Sequence, residues 1–561
     1  MKIAQIDFVA FAMMIWTVNA IAQGVNTPPP PVNAYFAANG FDSNPCTPAA
    51  PCLTSYKASA MSYPPGSTIN FRGGDNFTGC WALTPTNVPG GGDKNNPIVV
   101  QSYGTGRATW TSNCSAPSQG FMPLLDIAGV SGITVQNLIL VQGSGFSANA
   151  GILIEGPSDT ITIQNTDISG FVGPDNLTPG AQIEVVGLGS YKGSGCNALN
   201  HINILNNVLH GTTPTSRASA GIYGFGCGQN ISNITYSGNH VYNMGGISPA
   251  PANGALSPYG IVADGVQTGL IEHNIVHDIG ANNATCGGPS GIMAYSADSI
   301  TIRFNEVYNV RPPTDPGTGC DWVAYDLDGG TSNSVVEYNY GHDNAGACLL
   351  QFPAPGANTF RYNVCENNDT MSKSGGQMSL NPSRVQAYNN TFYAPAANTE
   401  PGNPPACIFL GYNGAYAAGS LIENNICVYL RANQWGISGG VMTGTADGTN
   451  ITVKNNVYSS NVSQFSYVSP GPTYQSLSAA QAAGEDLGSF LGNPLLSSAG
   501  NGGTCGTSVL TTGPQPCPSA YQLQAGSPAA NAGISVSNNG GRDYYGNAVP
   551  ATGAVNIGAF Q

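Results

Sequence analysis

The segment Ile300-Thr-Ile-Arg-Phe-Asn305 is a short β-branched run that ends in asparagine, and the middle of the chain repeats this form. The related segments are Ile133–Asn137, Ile161–Asn165, Ile202–Asn207, Ile271–Asn274, Val336–Asn339, Phe360–Asn363, Val385–Asn390, Leu421–Asn425 and Ile451–Asn456. From Asn207 through Asn239 to Asn456, successive asparagines lie 24 to 35 residues apart. One strand-rich unit per period is typical of a solenoid. Short β-branched runs bounded by Gly and Asn predict strands rather than helices.

The recurring asparagine has a structural explanation. Asparagine tolerates the left-handed backbone conformation, and its side-chain amide can donate a hydrogen bond to the carbonyl of the next coil. We therefore interpret these residues as a ladder of stacked asparagines. Loops inserted at one corner of the coil explain the variable length of the period.

Composition and charge exclude several classes of protein. The chain has 561 residues, of which 75 are Gly and only 8% are charged, and its net charge is −14. Long charged helices are therefore not expected, while 41% hydrophobic residues argue against disorder. No basic cluster is present in the sequence, so neither nucleic acid nor an anionic membrane is an expected partner.

The N-terminus and the cysteines both indicate export. Lys2 precedes the apolar run Phe8–Val18, and the small-x-small pattern Ala20-Ile-Ala22 follows, which predicts a signal peptide over residues 1–22. The run is too short to span a membrane. The fourteen cysteines form neighbouring couples separated by 6 to 34 residues without zinc-site spacing, which favours seven local disulfides in an oxidising space. We expect a secreted protein, extracellular or periplasmic.

The repeats and the asparagine ladder resemble the right-handed parallel β-helix of the pectate-lyase superfamily. Pro64–Asp75 and Asn96–Gly106 are similar to N-terminal segments of such proteins. Gly526–Gly533 and Asn556–Phe560 resemble a recurrent ending of secreted β-helix proteins. The resemblance covers nearly all of residues 60–561. It implies an all-β fold and a carbohydrate-active type of protein, but it does not choose a reaction, because this fold carries lyases, hydrolases, epimerases and adhesins.

This resemblance also implies an order of regions along the chain. Residues 23–130 are expected to form an N-terminal cap and the first coils, and residues 131–460 the β-helix with its corner loops. Residues 461–561 are expected to form a C-terminal strand and loop extension that packs on the helix. Both capping segments are atypical of the repeat.

Aligning the asparagines brings chemically similar residues into columns. Three residues past the asparagine, the column reads His210, Tyr242, His277, Tyr308, His342 and Glu366. Two residues before it, the column reads Glu272, Arg303, Glu337 and Arg361. The second column alternates in sign, so a surface ladder of ion pairs explains it. The first column contains three of the six histidines, and both a structural and a functional interpretation remain open.

A further column collects carboxylates. Aligning Gly260–Asp264, Gly291–Tyr295 and Ala324–Asp328 places Asp264, Tyr295 and Asp328 one above another. Asp326 lies on the same face as Asp328 at about 6.6 Å, and Asp264 lies two coils away at about 9 to 10 Å. Converging carboxylates raise at least one pKa, which gives a proton donor beside an ionised partner. Separations of about 5.5 Å and about 6.5–9.5 Å characterise retaining and inverting glycosidases, and the sequence does not choose between them.

We therefore predict a secreted glycoside hydrolase that cleaves a polysaccharide or oligosaccharide by paired-carboxylate chemistry. The expected catalytic residues are Asp264, Asp326, Asp328, Glu337 and His342. The expected substrate-binding residues are Tyr295, Trp322, Tyr325, His277, Arg303 and Asp343. Loops 280–290 and 311–321, which carry Cys286 and Cys320, are expected to wall the cleft.

Several alternatives stay open. No cofactor is expected, although a calcium site is an alternative interpretation of the Asp-x-Asp-Gly stretch, and a solvated strand face is another. The protein is expected to be a monomer. A calcium-dependent polysaccharide lyase and a non-catalytic adhesin or glycan-binding β-helix are the alternative functions. The scarcity of Lys and Arg favours a neutral or weakly charged glycan over polyuronate, because elimination beside a uronate needs cations.

Overall fold

A computed structural model of the chain describes most residues from 29 onward. The described ranges are 29–117, 120–174, 180–187, 195–246, 258–283, 288–314, 321–371, 375–396, 406–411, 414–431, 434–439, 446–447, 450–469, 471–511, 513 and 515–561. The predicted signal peptide, Cys286 and Cys320 lie outside these ranges. The two loops that were expected to wall a cleft are therefore described only in part.

Three long parallel sheets run the length of the described chain, and each coil contributes one strand to each sheet in turn. The strands of the first sheet are Asn33–Phe36, Thr68–Arg72, Ile98–Tyr103, Ile133–Gln136, Ser158–Gln164, Leu199–Leu205, Ile231–Ser237, Val266–Glu272, Asp298–Arg303, Val335–Glu337, Ala357–Arg361, Arg384–Tyr388, Ser420–Glu423 and Ile451–Lys454. Those of the second sheet are Asn76–Thr78, Ala108–Thr111, Leu138–Val141, Asp167–Ser169, Val208–His210, His240–Met244, Ile275–Ile279, Glu306–Val310, Tyr340–His342, Val364–Glu366, Thr391–Ala394, Ile426–Tyr429, Val457–Tyr458 and Phe490–Leu491.

The third sheet follows the second within each coil. Its strands are Trp81–Leu83, Leu125–Ala128, Ala150–Glu155, Ala181–Val186, Ala220–Phe225, Tyr259–Asp264, Ser290–Tyr295, Val323–Leu327, Leu349–Gln351, Gly376–Leu380, Ala406–Leu410, Gln434–Gly439 and Val462–Phe465. Short strands Gly414–Ala415, Ala446–Asp447 and Val468–Ser469 form one small sheet, and Gly533–Ile534 and Ala554–Val555 form another. This architecture confirms the predicted parallel β-helix.

The asparagine ladder is confirmed at the corner between the first and second sheets. It consists of Asn207, Asn239, Asn274, Asn305, Asn339, Asn363, Asn390, Asn425 and Asn456. The backbone N–H and the side-chain amide of each member donate to the Oδ1 of the next at 2.9–3.1 Å. The residue before each member has a positive φ, as at Phe304. Asn137 and Asn165 also have positive φ, so they occupy that preceding position and not the ladder itself.

The interior of the solenoid is filled by aliphatic columns. Ile133, Ile161 and Ile202 pair from coil to coil in the first sheet and are fully buried. Stacking identical β-branched side chains at the spacing of about 4.8 Å between strands lets each coil bury the apolar face of the next. Each such side chain contributes about 1.5–3 kcal/mol relative to its exposed state.

Helices and the C-terminal extension close the ends and cover one corner. Helix α1 (Ser55–Ala60) lies beside the first coils, and helix α2 (Leu477–Ala482) buries Leu477 and Ala480 in the core at the other end. Two 3₁₀ helices, Gly506–Ser508 and Ser519–Tyr521, lie in the extension. The extension packs on stacked rings at the corner between the first two sheets, where the Arg542 guanidinium lies 4.5 Å from the centroid of the Phe304 ring.

Six disulfides join neighbouring cysteines in the described residues. They are Cys46–Cys52, Cys80–Cys114, Cys196–Cys227, Cys348–Cys365, Cys407–Cys427 and Cys505–Cys517. These six predicted couples are confirmed, and the seventh is the couple that lies outside the described ranges. Within the same ranges, no helix has the length and apolar character needed to cross a membrane.

Candidate functional site

A group of carboxylates lies on the outer face of the third sheet. Asp264 pairs with Tyr295 in the parallel register, and Met293 pairs with Asp326 on the following strand. The same register continues to Asp328, whose backbone N–H donates to a carbonyl of the preceding coil at 2.8 Å. The structure therefore brings Asp264, Tyr295, Asp326 and Asp328 together on one face, although residues from three coils contribute. Their functional roles remain predictions.

Sharp turns set the position of the outermost members. Asp264 is followed by Gly265 at φ +61°, and Tyr295 is followed by Ser296 at φ +47°. Asp328 is followed by two glycines, the second at φ +84°. Each of these side chains is thus the last outward-facing group before the chain turns into the first sheet. A turn in the left-handed region favours Gly or a small polar residue, which explains the repeated Asp-Gly sequence.

The electrostatics of Asp264 and Asp328 are linked. Burial and then the negative charge of Asp328 raise the pKa of the half-buried Asp264 carboxyl to about 7. Burial also raises the pKa of Asp328, while the backbone N–H of Gly329, which donates to Asp328 Oδ1 at 2.6 Å, acts in the opposite direction. Asp264 therefore keeps its proton to a higher pH than an ordinary aspartate does.

Asp326 is fully buried beneath these groups. Ser290 Oγ donates to its Oδ2 at 3.1 Å, and its Oδ1 has no hydrogen-bond partner among the described residues. Burial, followed by the charges of Asp328 and Asp321, raises the pKa of Asp326 well above the ordinary value for aspartate. A carboxyl in this environment is stable in its neutral form.

Asp321 and Ser290 belong to this group and were missed by the sequence argument. Asp321 accepts a hydrogen bond from the backbone N–H of Gly288, which joins the two loops that precede neighbouring third-sheet strands. Burial, and then the charge of Asp328, raises the pKa of Asp321 to about 6. Neither residue falls in a repeated column, so the periodicity contained no signal for them. The position of Asp321 just before the strand Val323–Leu327 was the one available clue.

Two predicted aromatic ligands are wrong because they point into the solenoid. Tyr325 is fully buried in the core, and its hydroxyl donates to the backbone carbonyls of Asn305 and Tyr340 at 2.8 Å. Trp322 is also fully buried, and its ring lies against Gly280. Side chains alternate across a strand, so Tyr325 must face inward when Asp326 faces outward. Tyr295, in contrast, has 40% of its surface exposed.

Glu337 and Arg303 lie on the first sheet, away from the third-sheet acids. Arg303 Nε donates to Glu272 at 2.8 Å, and Arg361 contacts Glu337 at 2.6 Å. The predicted ladder of alternating ion pairs explains both residues. Their placement beside Asp264 and Asp328 was wrong, because the outer faces of different sheets of one coil point in different directions.

His342, His277 and Asp343 lie on or beside the second sheet. The predicted column of His210, Tyr242, His277, Tyr308 and His342 forms a continuous stack, with ring centroids 4.7–5.3 Å apart. His342 Nδ1 contacts Asp343 at 2.9 Å, and its Nε2 contacts the buried Glu306 at 3.2 Å. His342 therefore does not assist the third-sheet acids.

A second acidic group occupies the same outer face closer to the N-terminus. Asp126, Glu155 and Glu184 are buried there, and Asn149 donates to Glu184 Oε2 at 2.9 Å. Burial, and then the charge of Glu155, raises the pKa of Glu184 to about 8. This group is less than 10% exposed at every member, so it cannot contact a polymeric substrate in this conformation.

A metal site needs several side-chain ligands that converge on one position. Across the described part of the chain, no three His, Cys, Asp or Glu side chains converge in a way that could hold a metal ion. The calcium site considered from the sequence stays an alternative prediction.

Comparison with solved structures finds partial likenesses to several proteins. A GH136 lacto-N-biosidase from Eubacterium ramulus has a TM-score of 0.47 at 17% identity, over 67% of this chain and 65% of that chain. A PL6 family alginate lyase has a TM-score of 0.44 at 13% identity, over 88% of this chain and 57% of that chain. A pectate lyase has a TM-score of 0.38 at 13% identity, over 94% and 96%.

The chain thus spans about two thirds, or 65%, of the length of the lacto-N-biosidase. No protein-family profile and no curated protein matches the sequence. These likenesses do not assign a reaction to this chain.

Proposed function

We propose that the protein is a secreted glycoside hydrolase that acts on a neutral or weakly charged polysaccharide or oligosaccharide at the outer face of the third sheet. Asp264 is the general acid and Asp328 the general base. The observation that supports this proposal is the pair of partly exposed carboxyls in one column, because burial and then the charge of Asp328 raise the pKa of Asp264 to about 7. The six local disulfides support a site of action in an oxidising compartment.

The division of roles follows from the environment of each carboxyl. A general acid must carry its proton at the working pH, and the raised pKa of Asp264, about 7, meets that requirement. Asp328 accepts the N–H of Gly329, which stabilises its charged form and suits a base. Burial raises the pKa of both carboxyls, and the Gly329 N–H opposes that rise at Asp328 alone, so we assign the base to Asp328.

The spacing of the pair favours inversion. Strands two coils apart are separated by about 9.6 Å, close to the upper end of the carboxyl separation in inverting enzymes, about 6.5–9.5 Å. In one step, Asp328 takes a proton from water as the water oxygen bonds to the anomeric carbon. The glycosidic C–O bond breaks, and Asp264 gives its proton to the leaving oxygen. Exchange with solvent then returns a proton to Asp264 and removes the proton from Asp328.

Tyr295 is suited to bind the sugar between the two acids. It occupies the coil between them, 40% of its surface is exposed, and its ring lies over Gly329. An exposed aromatic ring presents an apolar face to the C–H side of a pyranose. Asp326 has no exposed surface and does not touch substrate; we assign it a positioning role, as a neutral carboxyl anchored by Ser290 beside Asp328.

Hydrolysis is favoured over elimination by the charge of the site. The influences that raise the pKa values of Asp264, Asp321 and Asp326 are burial and other carboxylates. Uronate substrates would add negative charge to this face, and elimination beside a carboxyl needs cationic stabilisation of the developing charge. A lyase is the second candidate. It would require a cation in the site, such as a metal ion or a basic side chain, that the described residues do not supply.

A panel of neutral and uronate glycans, assayed with and without chelator, tests the proposal. New reducing ends without the ultraviolet absorbance of an unsaturated uronate are the expected result, and chelator should have no effect. Appearance of that absorbance, dependent on calcium, would establish elimination instead. No product from any glycan would favour the adhesin or glycan-binding alternative.

A further inference from the structure

A cleft of about 450 Å³ lies between the second sheet and the C-terminal extension. Asp343, Glu366, Asn367 and Tyr393 line the side formed by the solenoid, and the backbone of Gly500 and Gly503 lines the opposite side. It is separate from the acids on the third sheet. Its volume falls within the range of small-molecule sites, about 300–1,000 Å³.

The wall formed by the extension is held in place by specific hydrogen bonds. The N–H of Gly502 donates a hydrogen bond to Glu366 Oε2 at 3.1 Å. The N–H of Gly500 donates another to the Tyr521 hydroxyl at 3.2 Å. Further along, the N–H of Cys505 donates to the buried Glu306 at 2.6 Å. Because these contacts fix the wall before any ligand arrives, binding here would require little ordering of the chain.

Glycine is required for this wall to approach the solenoid. At Gly500, φ is +87° and a Cβ would lie 2.5 Å from the Tyr393 hydroxyl oxygen. At Gly502, a Cβ would lie 2.3 Å from Glu366 Oε2. At Gly503, where φ is +61°, no atom lies within 4 Å of the position of a Cβ. Three of the four residues from Gly500 to Gly503 are glycine, so backbone forms most of this wall, and Asn501 also lines the cleft.

The solenoid side offers mainly hydrogen-bond acceptors. Asp343, whose side chain is 53% exposed, accepts from Asn367 Nδ2 at 2.6 Å and contacts His342 Nδ1 at 2.9 Å. Glu366 accepts from the Tyr340 hydroxyl at 2.8 Å. None of the residues that line the cleft is Lys or Arg. An anion is therefore disfavoured, and a ligand must bring hydrogen-bond donors.

We propose that this cleft is a second carbohydrate site, which binds a neutral oligosaccharide through its hydroxyl groups. Carboxylates and an amide accept hydrogen bonds from neighbouring hydroxyls, and the Tyr393 hydroxyl can both donate and accept. The cleft lies on a different sheet from the acid pair, so its binding function does not depend on hydrolysis.

Calorimetric titration of the full chain tests this proposal, in the Asp264→Asn background so that turnover does not interfere. Cellohexaose, xylohexaose, maltohexaose and hexameric glucosamine serve as the probes. At least one neutral hexasaccharide should bind, and Asp343→Asn and Tyr393→Phe should each weaken it by about 5-fold, the usual cost of one hydrogen bond. Asparagine tolerates the left-handed conformation at position 343, where φ is +54°.

Asp278→Asn is the matched control. Asp278 has φ +55°, contacts His277 Nδ1 at 2.7 Å and accepts from Asn309, so it repeats the local structure of Asp343 outside the cleft. This variant should bind as tightly as its parent. Binding unchanged by both cleft variants, binding of hexameric glucosamine alone, or no binding by any probe would each overturn the proposal. Absence of hydrolysis by the parent chain, with binding at the cleft retained, would instead count against the third-sheet acid pair.

Discussion

Burial raises the pKa of Asp264, and the carboxylate of Asp328, two coils away, raises it further. The two residues are distant along the chain, and they approach because each ends a third-sheet strand in the same column. A helical or globular arrangement of the same segments would not bring them together. The proposed chemistry depends on this relationship, and the following predictions test it and the fold that creates it.

Neutralising either acid should abolish turnover while leaving the fold intact. Asp264→Asn and Asp328→Asn are each expected to lower kcat by about 10²- to 10⁴-fold, the usual contribution of a general acid or base. Release of reducing ends measures activity, and circular dichroism measures folding. Asp298→Asn, which removes a partly exposed carboxylate from the first sheet, is the control and should keep full activity. Full activity in Asp328→Asn would remove the proposed base.

Activity should decline as the pH rises above about 7. The pKa of Asp264 is raised to about 7, so the proton needed by the leaving group is lost through that range. Rates measured from pH 4 to 9 on one glycan should show this basic limb. Carbon-13 NMR of labelled aspartate should detect the same titration, and it should move to lower pH in Asp328→Asn, which lacks the repelling charge. A titration of Asp264 near pH 4 would contradict the assignment.

The released sugar should have the anomeric configuration opposite to that of the cleaved bond. Two exposed carboxyls about 9.6 Å apart, on strands separated by two coils, leave room for a water between base and anomeric carbon. Proton NMR of the product during the first minutes of reaction distinguishes the two anomers. Retention of the anomeric configuration would instead favour a closer pair of carboxyls. Asp326 and Asp328 would then have to be considered as the catalytic pair.

The protein should lose stability between about pH 5 and pH 8, partly through Glu184. Its pKa in the folded state is raised to about 8 from an ordinary 4.5, so the folded state binds a proton that the unfolded state has released. The stabilisation is complete below pH 4.5 and is lost as the pH rises through 8.

Glu184→Gln removes that dependence. Relative to the parent, the variant should gain on the order of 2–4 kcal/mol in free energy of unfolding between pH 5 and pH 9, from about 1.4 kcal/mol per pKa unit. Chemical denaturation at several pH values measures the change, and Asp298→Asn is again the control. An identical pH slope for parent and Glu184→Gln would show that this carboxyl is ionised in the folded protein.

Interrupting the asparagine ladder should be strongly destabilising. Asn305→Ala removes the acceptor for the backbone N–H of Asn274 and a donor to Asn339, both in a fully buried environment. Unsatisfied buried groups cost about 1–3 kcal/mol each, so a loss of about 3 kcal/mol is expected in the free energy of unfolding. Asn203→Ala, on the outer face of the first sheet, should change stability by less than about 0.5 kcal/mol. Equal effects of the two substitutions would contradict the structural role of the ladder.

The sequence repeat predicted the part of the candidate site that lies on aligned strands, and it did not predict the part that lies in loops. The pairing of Asp264 with Tyr295 follows from aligning coils, because parallel strands in register place equivalent residues one above another. Asp321 lies in a loop that belongs to no repeat, so its approach to Asp328 could not be inferred. Glu337 was wrongly grouped with these acids. Aligning the sequences of the coils does not show in which direction the outer face of each sheet points.

The amino-acid sequence by itself determined that the chain coils, where each corner falls and which residues share a column. These properties are local and repetitive, because β-branched strands, left-handed corners and a ladder asparagine recur from coil to coil. Only the tertiary structure decided which columns meet and how deeply their members are buried, as for Asp326. The direction in which each outer face points depends on the irregular loops and on the bend of the chain between sheets. Both differ from one coil to the next.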